Sequence, residues 1–246
     1  MSIEPLAPAD DVWAIIPTLN ERATLPDVVA RTLPFVARVL IVDGASTDGT
    51  REWVQEQIAG GAPLQLEVVE QRGKGRAIRR ALQLVPVPWT VMIDADGSHV
   101  PEDIPALLAP LRCGTADMVV ASRWSGGSDE LSGDANKWIR RVGSEILTRL
   151  VNWRWGADLT DIQNGFRAVS TRVARGIGLS SPDFNIEQEM IMKFLAGGFR
   201  VCNVPSHEFE RQGGVAKLTL RRVWFEFGMV ALRHLLGFSR PRLRRK

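Results

Sequence analysis

Cysteine is nearly absent: Cys113 and Cys202 are the only two in 246 residues, and they show neither CxxC nor any other ligand spacing. Nothing in this argues for a disulfide framework, and two isolated cysteines read as reduced, buried small hydrophobes of a cytosolic protein. Histidine is almost as scarce. His99, His207 and His234 share no metal-ligand spacing, although His99 lies close to an acidic segment and is able to touch a site there. No run of eighteen apolar residues occurs, so no helix is expected to span a bilayer. The start, Met1-Ser2-Ile3-Glu4-Pro5, lacks the charged and apolar regions of a signal peptide. There is no internal repeat or low-complexity tract. The expectation is a cytoplasmic protein, or one peripheral on the cytosolic face of the membrane.

What is present is ordinary in amount and uneven in placement. Hydrophobic residues make up 45% and charged residues 24%, enough for a large unstapled core. Lys and Arg exceed Asp and Glu only by 31 to 28. Between residues 221 and 246, however, basic residues dominate and Glu226 is the single acid. Such an end suits anionic lipid or nucleic acid better than an ordinary solvated face.

Short apolar runs alternate with amphipathic stretches up to Ser122. Strands are predicted at 12–18, 38–42, 64–69, 89–93 and 117–121, with helices at about 22–34, 48–58, 73–84 and 102–111. This alternation implies an α/β fold with a mostly parallel sheet flanked by helices, whose ligands bind beyond the carboxyl ends of the strands. Residues 123–136 are rich in Gly, Ser and Asp and read as a loop. An amphipathic helix is predicted near 137–153, then a polar turn at 158–165, a helix near 187–196 and a strand near 200–204. The stretch 218–238 is helical in period and aromatic, with Trp224 and Phe227. The chain thus divides into a main domain, 1–217, and a basic C-terminal amphipathic helix and tail, 218–246. That helix either packs on the domain or a second copy in a homodimer, or lies at a membrane interface.

The chemistry-bearing segments fall at strand ends. Pro17-Thr18-Leu19-Asn20-Glu21 ends the first strand, and Val42-Asp43-Gly44-Ala45-Ser46-Thr47-Asp48-Gly49-Thr50 ends the second. A turn and helix N-cap account for Ser46 through Thr50. They do not account for Asp43, an acid closing an apolar strand, which is suited to accept hydrogen bonds from a base or ribose. Val91-Met92-Ile93-Asp94-Ala95-Asp96-Gly97-Ser98 ends the fourth strand with two carboxylates at spacing two. Hard cations such as Mg²⁺ are held by one or two carboxylates together with substrate phosphates. A capped, solvated turn is the plain alternative for this segment. Arg72, Lys74, Arg76, Arg79 and Arg80 form a basic cluster around Gly73 and Gly75. Arg72 or Lys74 is expected near a nucleotide, and Arg76, Arg79 and Arg80 on a solvated helix face.

The series PTLNE, VDGASTDGT, GKGRAIRRAL, MIDADGSHVPEDI and ASRW resembles the inverting family 2 glycosyltransferases of the GT-A (Rossmann-like) fold. Asp161-Ile162-Gln163-Asn164-Gly165-Phe166-Arg167 and Arg211-Gln212-Gly213-Gly214-Val215-Ala216-Lys217-Leu218 narrow the likeness to the polyprenyl-phosphate (dolichol-phosphate) mannosyl- and glucosyltransferase branch. The resemblance implies a hexosyltransferase that uses Mg²⁺ or Mn²⁺ and moves a sugar from a nucleotide diphosphate sugar, GDP-mannose favoured, to polyprenyl phosphate.

Carried over by position, it assigns Pro17, Asn20, Glu21 and Asp43 to the nucleoside, and Asp94, Ala95 and Asp96 to the diphosphate and metal. Ser98 stands where the family often has Gln, as a third metal ligand. Asp161 falls beside the donor sugar and acceptor phosphate. Arg123, Arg211 and Lys217 match phosphate-holding positions, with Lys137 in place of a further family arginine. A phosphate acceptor is already anionic, so it needs cations more than a general base, and the planar fork of Arg suits it. Asp96, Asp161 and Arg123 are accordingly the expected catalytic residues. Transfer to a soluble sugar or another lipid is the competing expectation. A nucleic-acid-binding module is disfavoured, because the tail carries no recognised motif for it.

Overall fold

The computed structural model describes residues 9–129 and 135–211, with Leu243 and Arg245, and gives the backbone alone for 135–140. Seven strands form one sheet: β1 (Val12–Thr18), β2 (Arg38–Asp43), β3 (Leu64–Val68), β4 (Trp89–Met92), β5 (Met118–Ser122), β6 (Arg167–Ser170) and β7 (Val201–Pro205). Their order across the sheet is β3-β2-β1-β4-β6-β5-β7. The first four in that order run parallel, β6 runs antiparallel to both its neighbours, and β5 pairs parallel with β7. The arrangement is that of a mostly parallel, GT-A-like mixed sheet.

Strands buried on both faces read as continuous apolar runs, and their period of two deals alternate side chains to two cores. Ile15 and Leu40 enter one layer, while Ala14, Ile16 and Ile41 enter the other. The first layer is closed by α3 (Lys74–Leu84), α7 (Thr171–Gly176) and α8 (Ile186–Ala196), through residues such as Ile78, Val173 and Phe194. The second is closed by α1 (Leu25–Thr32), α2 (Thr50–Ala59) and α4 (Ile104–Arg112), through Val28, Val54 and Leu107. Full burial of a side chain such as Leu107 contributes roughly 1.5–3 kcal/mol.

The parallel pairing sets Thr18 beside Asp43, so the loops that follow β1 and β2 emerge together. The antiparallel β6 is what completes the same rim. Because it runs the other way, its first residue, Arg167, pairs with Met92 at the carboxyl end of β4. Gly75, on the first turn of α3, meets the loop before α8 so closely that a Cβ there would lie 2.2 Å from the Ser181 carbonyl oxygen. Only glycine permits that approach.

The sequence pattern missed β6. It has four residues and begins with an arginine, so it carries no apolar alternation. The segment 123–136, read as a loop, contains a short helix, α5 (Arg123–Gly126), and the start of α6 (Ala135–Trp155). Both cysteines are free, but Cys113 is exposed and Cys202 only half-buried, so neither is the fully buried hydrophobe expected. The helix predicted at 218–238 and the division at 217/218 lie outside the described residues. Leu243 packs against Gly176 within the core shared by α7 and α8. Arg245 stands 3.8 Å from Asp117. Among the described residues, no helix is long and apolar enough to cross a membrane.

Candidate active site

The loops after β1 and β2 are laced together by side chains. Asn20 N donates to Ser46 Oγ at 2.9 Å, and Thr47 N donates to Asn20 Oδ1 at 2.8 Å. Glu21 N reaches Thr50 Oγ1 at 3.3 Å. Asn20 and Ala45 both hold positive φ, 61° and 69°, a conformation that costs an alanine roughly 1–2 kcal/mol. The lacing holds it there. Asp43 is fully buried. Its Oδ2 accepts from Ser46 N at 3.0 Å and from the Arg51 guanidinium, while Oδ1 is buried with no partner among the described residues. Ser46 and Thr47 therefore build this wall instead of capping α2.

The acidic segment is not a solvated turn. Asp96, Ser98 and His99 are buried, at 8%, 3% and 4% exposure. Asp96 Oδ1 accepts from Ser98 Oγ at 2.7 Å and Ser98 N at 3.1 Å, and Arg211 Nε faces Asp96 Oδ2 at 3.4 Å. Asp94 Oδ1 lies 2.5 Å from Lys74 Nζ, and its Oδ2 lies 3.6 Å from His99 Nε2. His99 stacks on Phe166 at 5.4 Å. Ala95 points away into the core between sheet and α4, leaving only its backbone at the rim.

Lys74 is also 2.5 Å from Glu187 Oε1 at the start of α8. Burial pushes the lysine pKa down, but the charges of Asp94 and Glu187 outweigh this and hold it above the ordinary value. Burial likewise pushes Asp94 up, and Lys74 with His99 brings it well below the ordinary carboxylate range. Both groups are charged. Pro17, Lys74, Asp94, Gly165, Arg167 and Glu187 line one opening. The fully buried Arg167 donates through Nη1 to the Glu187 carbonyl at 2.9 Å and through Nε to that of Asn164 at 3.1 Å. Glu187 did not stand out in the sequence, because an acid in the first turn of a helix reads as a partner for the helix dipole. Arg167 closes the Asp161–Arg167 segment that carries the resemblance, but no strand is predicted there and no role is assigned to it.

A second ion-paired centre stands at the end of β5. Arg123 Nε donates to Asp161 Oδ2 at 2.6 Å and Nη2 to Oδ1 at 3.1 Å, a two-pronged contact. Burial pushes Asp161 up, but the Arg123 charge and hydrogen bonds win and hold it low. Asn203 on β7 fixes the segment, donating to the Asp161 carbonyl at 2.9 Å. The segment after β7 joins the two centres. Glu208 stands 3.6 Å from Arg123, Phe209 N donates to Ser98 O at 2.8 Å, and Arg211 follows on Asp96. Lys217 lies outside the described residues, as does the side chain of Lys137.

Among the described residues, no three His, Cys, Asp or Glu side chains converge as a closed metal nest. The donor chemistry nonetheless fits a hard divalent cation. Asp94 and Asp96 offer carboxylate oxygens at one strand end, in the manner of sites that substrate phosphates complete. The Ser98 hydroxyl donates its proton to Asp96 Oδ1, which leaves its oxygen lone pairs for a cation.

An acidic pair at the end of the fourth strand of a mostly parallel sheet, met by the cations Lys74 and Arg211, is the arrangement of a GT-A-like glycosyltransferase. Residues 13–177 match Glycosyl transferase family 2, and the chain belongs to that family. It is 34% identical over 208 residues to the glycosyltransferase AglJ of Haloferax volcanii, covering 83% of this chain and 65% of AglJ, just under two thirds of its length. It is 30% identical to the polyprenol monophosphomannose synthase of Mycolicibacterium smegmatis, over 95% of this chain and 91% of that protein. It is 31% identical to the undecaprenyl-phosphate mannosyltransferase of Micrococcus luteus, over 85% and 87%. Among solved structures, it resembles glucosyl-3-phosphoglycerate synthase from Mycobacterium tuberculosis in complex with Mn²⁺, UDP and phosphoglyceric acid. The TM-score is 0.68 at 21% identity, covering 93% of this chain and 79% of that one. The same synthase with Mg²⁺ and UDP gives a TM-score of 0.67 at 19% identity, covering 94% and 79%. These likenesses show the fold.

Proposed function

We propose that the protein transfers a hexose from a nucleotide diphosphate sugar, GDP-mannose favoured, to polyprenyl phosphate, with inversion at the anomeric carbon and with Mg²⁺ or Mn²⁺ at Asp94 and Asp96. The observation that carries this reading is the state of Asp161. It is fully buried and gripped on both oxygens by Arg123, and its pKa is held low. A carboxylate in that state is a poor general base. A sugar hydroxyl acceptor needs a base; a phosphate does not.

Arg123 and Arg211 supply what a phosphate acceptor requires: cations that position it and screen it from the donor diphosphate. Pro17, Asn20, Glu21 and Asp43 receive the nucleoside, and Lys74, Asp94 and Asp96, with the backbone of Ala95, face the diphosphate. When bound, the metal supplies charge neutralisation of the departing nucleotide. Lys137 and Lys217 complete the acceptor side in this reading. The names of the relatives from M. smegmatis and M. luteus favour mannose and a lipid phosphate. Contact with a membrane surface follows from the acceptor, and α6 has a face for it. Ile146, Leu150 and Trp153 lie along one stripe of that helix at 53%, 42% and 81% exposure, with Arg149 and Arg154 beside them, as on an interfacial helix.

The test is nucleotide release from GDP-mannose and UDP-glucose in the presence of Mn²⁺ or Mg²⁺, with and without short-chain polyprenyl phosphate. Release of GDP that depends on both the metal and the lipid phosphate supports the reading. Release that depends on phosphoglycerate or a free sugar in place of the lipid contradicts it. Unchanged turnover in Asp96→Ala would overturn the metal assignment.

A further inference from the structure

The Lys74 ammonium sits against one carboxylate of the acidic pair, that of Asp94. Its Nζ is 2.5 Å from Asp94 Oδ1 and 2.5 Å from Glu187 Oε1, and the Lys74 and Glu187 side chains are each 11% exposed. The Phe184 ring lies 5.8 Å from Nζ. On another side stands the backbone of Gly165, where a Cβ would lie 2.9 Å from Nζ and 2.6 Å from Asp94 Oδ2. Arg167 fixes the start of α8, and with it Glu187, through the Glu187 carbonyl. Lys74 is itself the first residue of α3, where the helix dipole disfavours a cation. The two carboxylates hold it there against that field.

A Mg²⁺ ion on Asp94 Oδ1 would need an approach of about 2.0–2.1 Å. That brings it against an ammonium already in contact with the same oxygen, and the two positive charges repel strongly in a buried setting. The lysine and the metal therefore compete for Asp94.

We propose that Lys74 is a built-in counter-ion that closes Asp94 to divalent cations in the donor-free protein, so that metal and donor diphosphate enter together. Glu187 is the positioning residue of this device: it keeps the ammonium when Asp94 is given up to the metal. The diphosphate supplies the negative charge that lets both cations stay. This inference rests on the metal-assisted reading above.

The experiment titrates MnCl₂ into the purified full chain, followed by the free-Mn²⁺ electron paramagnetic resonance signal, for the protein alone, with GDP and with UDP. Protein-free titrations are subtracted. The wild type is expected to hold Mn²⁺ at least about tenfold more tightly with a nucleoside diphosphate than alone. Lys74→Met is expected to gain about tenfold in nucleotide-free affinity, a gain that a merely structural lesion would not produce. Equal Mn²⁺ affinity of the wild type with and without nucleotide overturns the inference and leaves the proposed function standing. So does a folded Lys74→Met with unchanged nucleotide-free affinity. If that variant shows no cooperative melt, Lys74→Gln takes its place in the nucleotide-free comparison. Mn²⁺ uptake under none of the conditions overturns both this inference and the metal-assisted reading.

Discussion

Arg123 and Asp161, on segments 38 residues apart, meet through two hydrogen bonds of 2.6 and 3.1 Å, with Asp161 fully buried. Removing one member of a buried pair leaves the other without compensation and costs about 3–5 kcal/mol. Asp161→Ala is therefore expected to lower the unfolding free energy measured by urea titration by that amount, with Asp161→Asn in between, since an amide still accepts from Arg123. A loss below about 1 kcal/mol in Asp161→Ala would show that the pair is not buried in solution.

Glu189 offers the clearest pH dependence. Burial pushes it up, but Lys193 and the hydroxyl and amide of Ser180, with Ser181 N, bring it down from 4.5 to about 2. A carboxyl group whose folded pKa lies below its unfolded value stabilises fully above the unfolded pKa. That stabilisation disappears as pH falls through the folded one. The wild type should lose stability between pH 4.5 and about 2 more steeply than Glu189→Gln, which should be weaker at neutral pH. Thermal melts across this range check it; parallel curves would contradict it.

Gly165→Ala places a methyl 2.6 Å from Asp94 Oδ2, 2.9 Å from Lys74 Nζ and 3.1 Å from Glu187 Oε1. Crowding of this kind costs about 1–3 kcal/mol. Calorimetric titration with GDP and UDP should show weaker binding, between about two- and tenfold if half that cost falls on the site. Unaltered affinity would place the diphosphate elsewhere.

Asp43 has a buried oxygen, Oδ1, without a partner among the described residues. If it serves the nucleoside, Asp43→Ala should weaken binding of a nucleoside diphosphate by about 1–3 kcal/mol and leave inorganic diphosphate unaffected. Competition measurements with the two ligands separate the cases, and an equal loss for both would assign Asp43 to scaffolding alone.

The parallel half of the sheet was legible because β1 and β2 are long apolar runs that end in polar turns. Asp43, Asp94 and Asp96 stood out as acids where those runs stop. The pairing of Asp94 with Lys74 was not legible. The two are 20 positions apart, and the turn that brings them together depends on a Gly75–Ser181 contact that no local pattern encodes. Glu187 and Arg167 were hidden for a related reason. Glu187 has an ordinary local role at a helix start, and Arg167 reaches the rim of β4 only through the unpredicted antiparallel β6, from which it holds the Glu187 carbonyl. Ser98 fell on the segment expected, and its hydroxyl donates to Asp96 Oδ1.

The most direct measurement is the mass of the lipid product. Protein is incubated with GDP-mannose, divalent metal and short-chain polyprenyl phosphate in detergent or liposomes, with Arg123→Ala alongside. The account expects polyprenyl phosphate carrying one hexose, formed only when donor, metal and lipid phosphate are all present and strongly reduced in Arg123→Ala. Hexose appearing on a soluble acceptor while the lipid phosphate stays unmodified would contradict it.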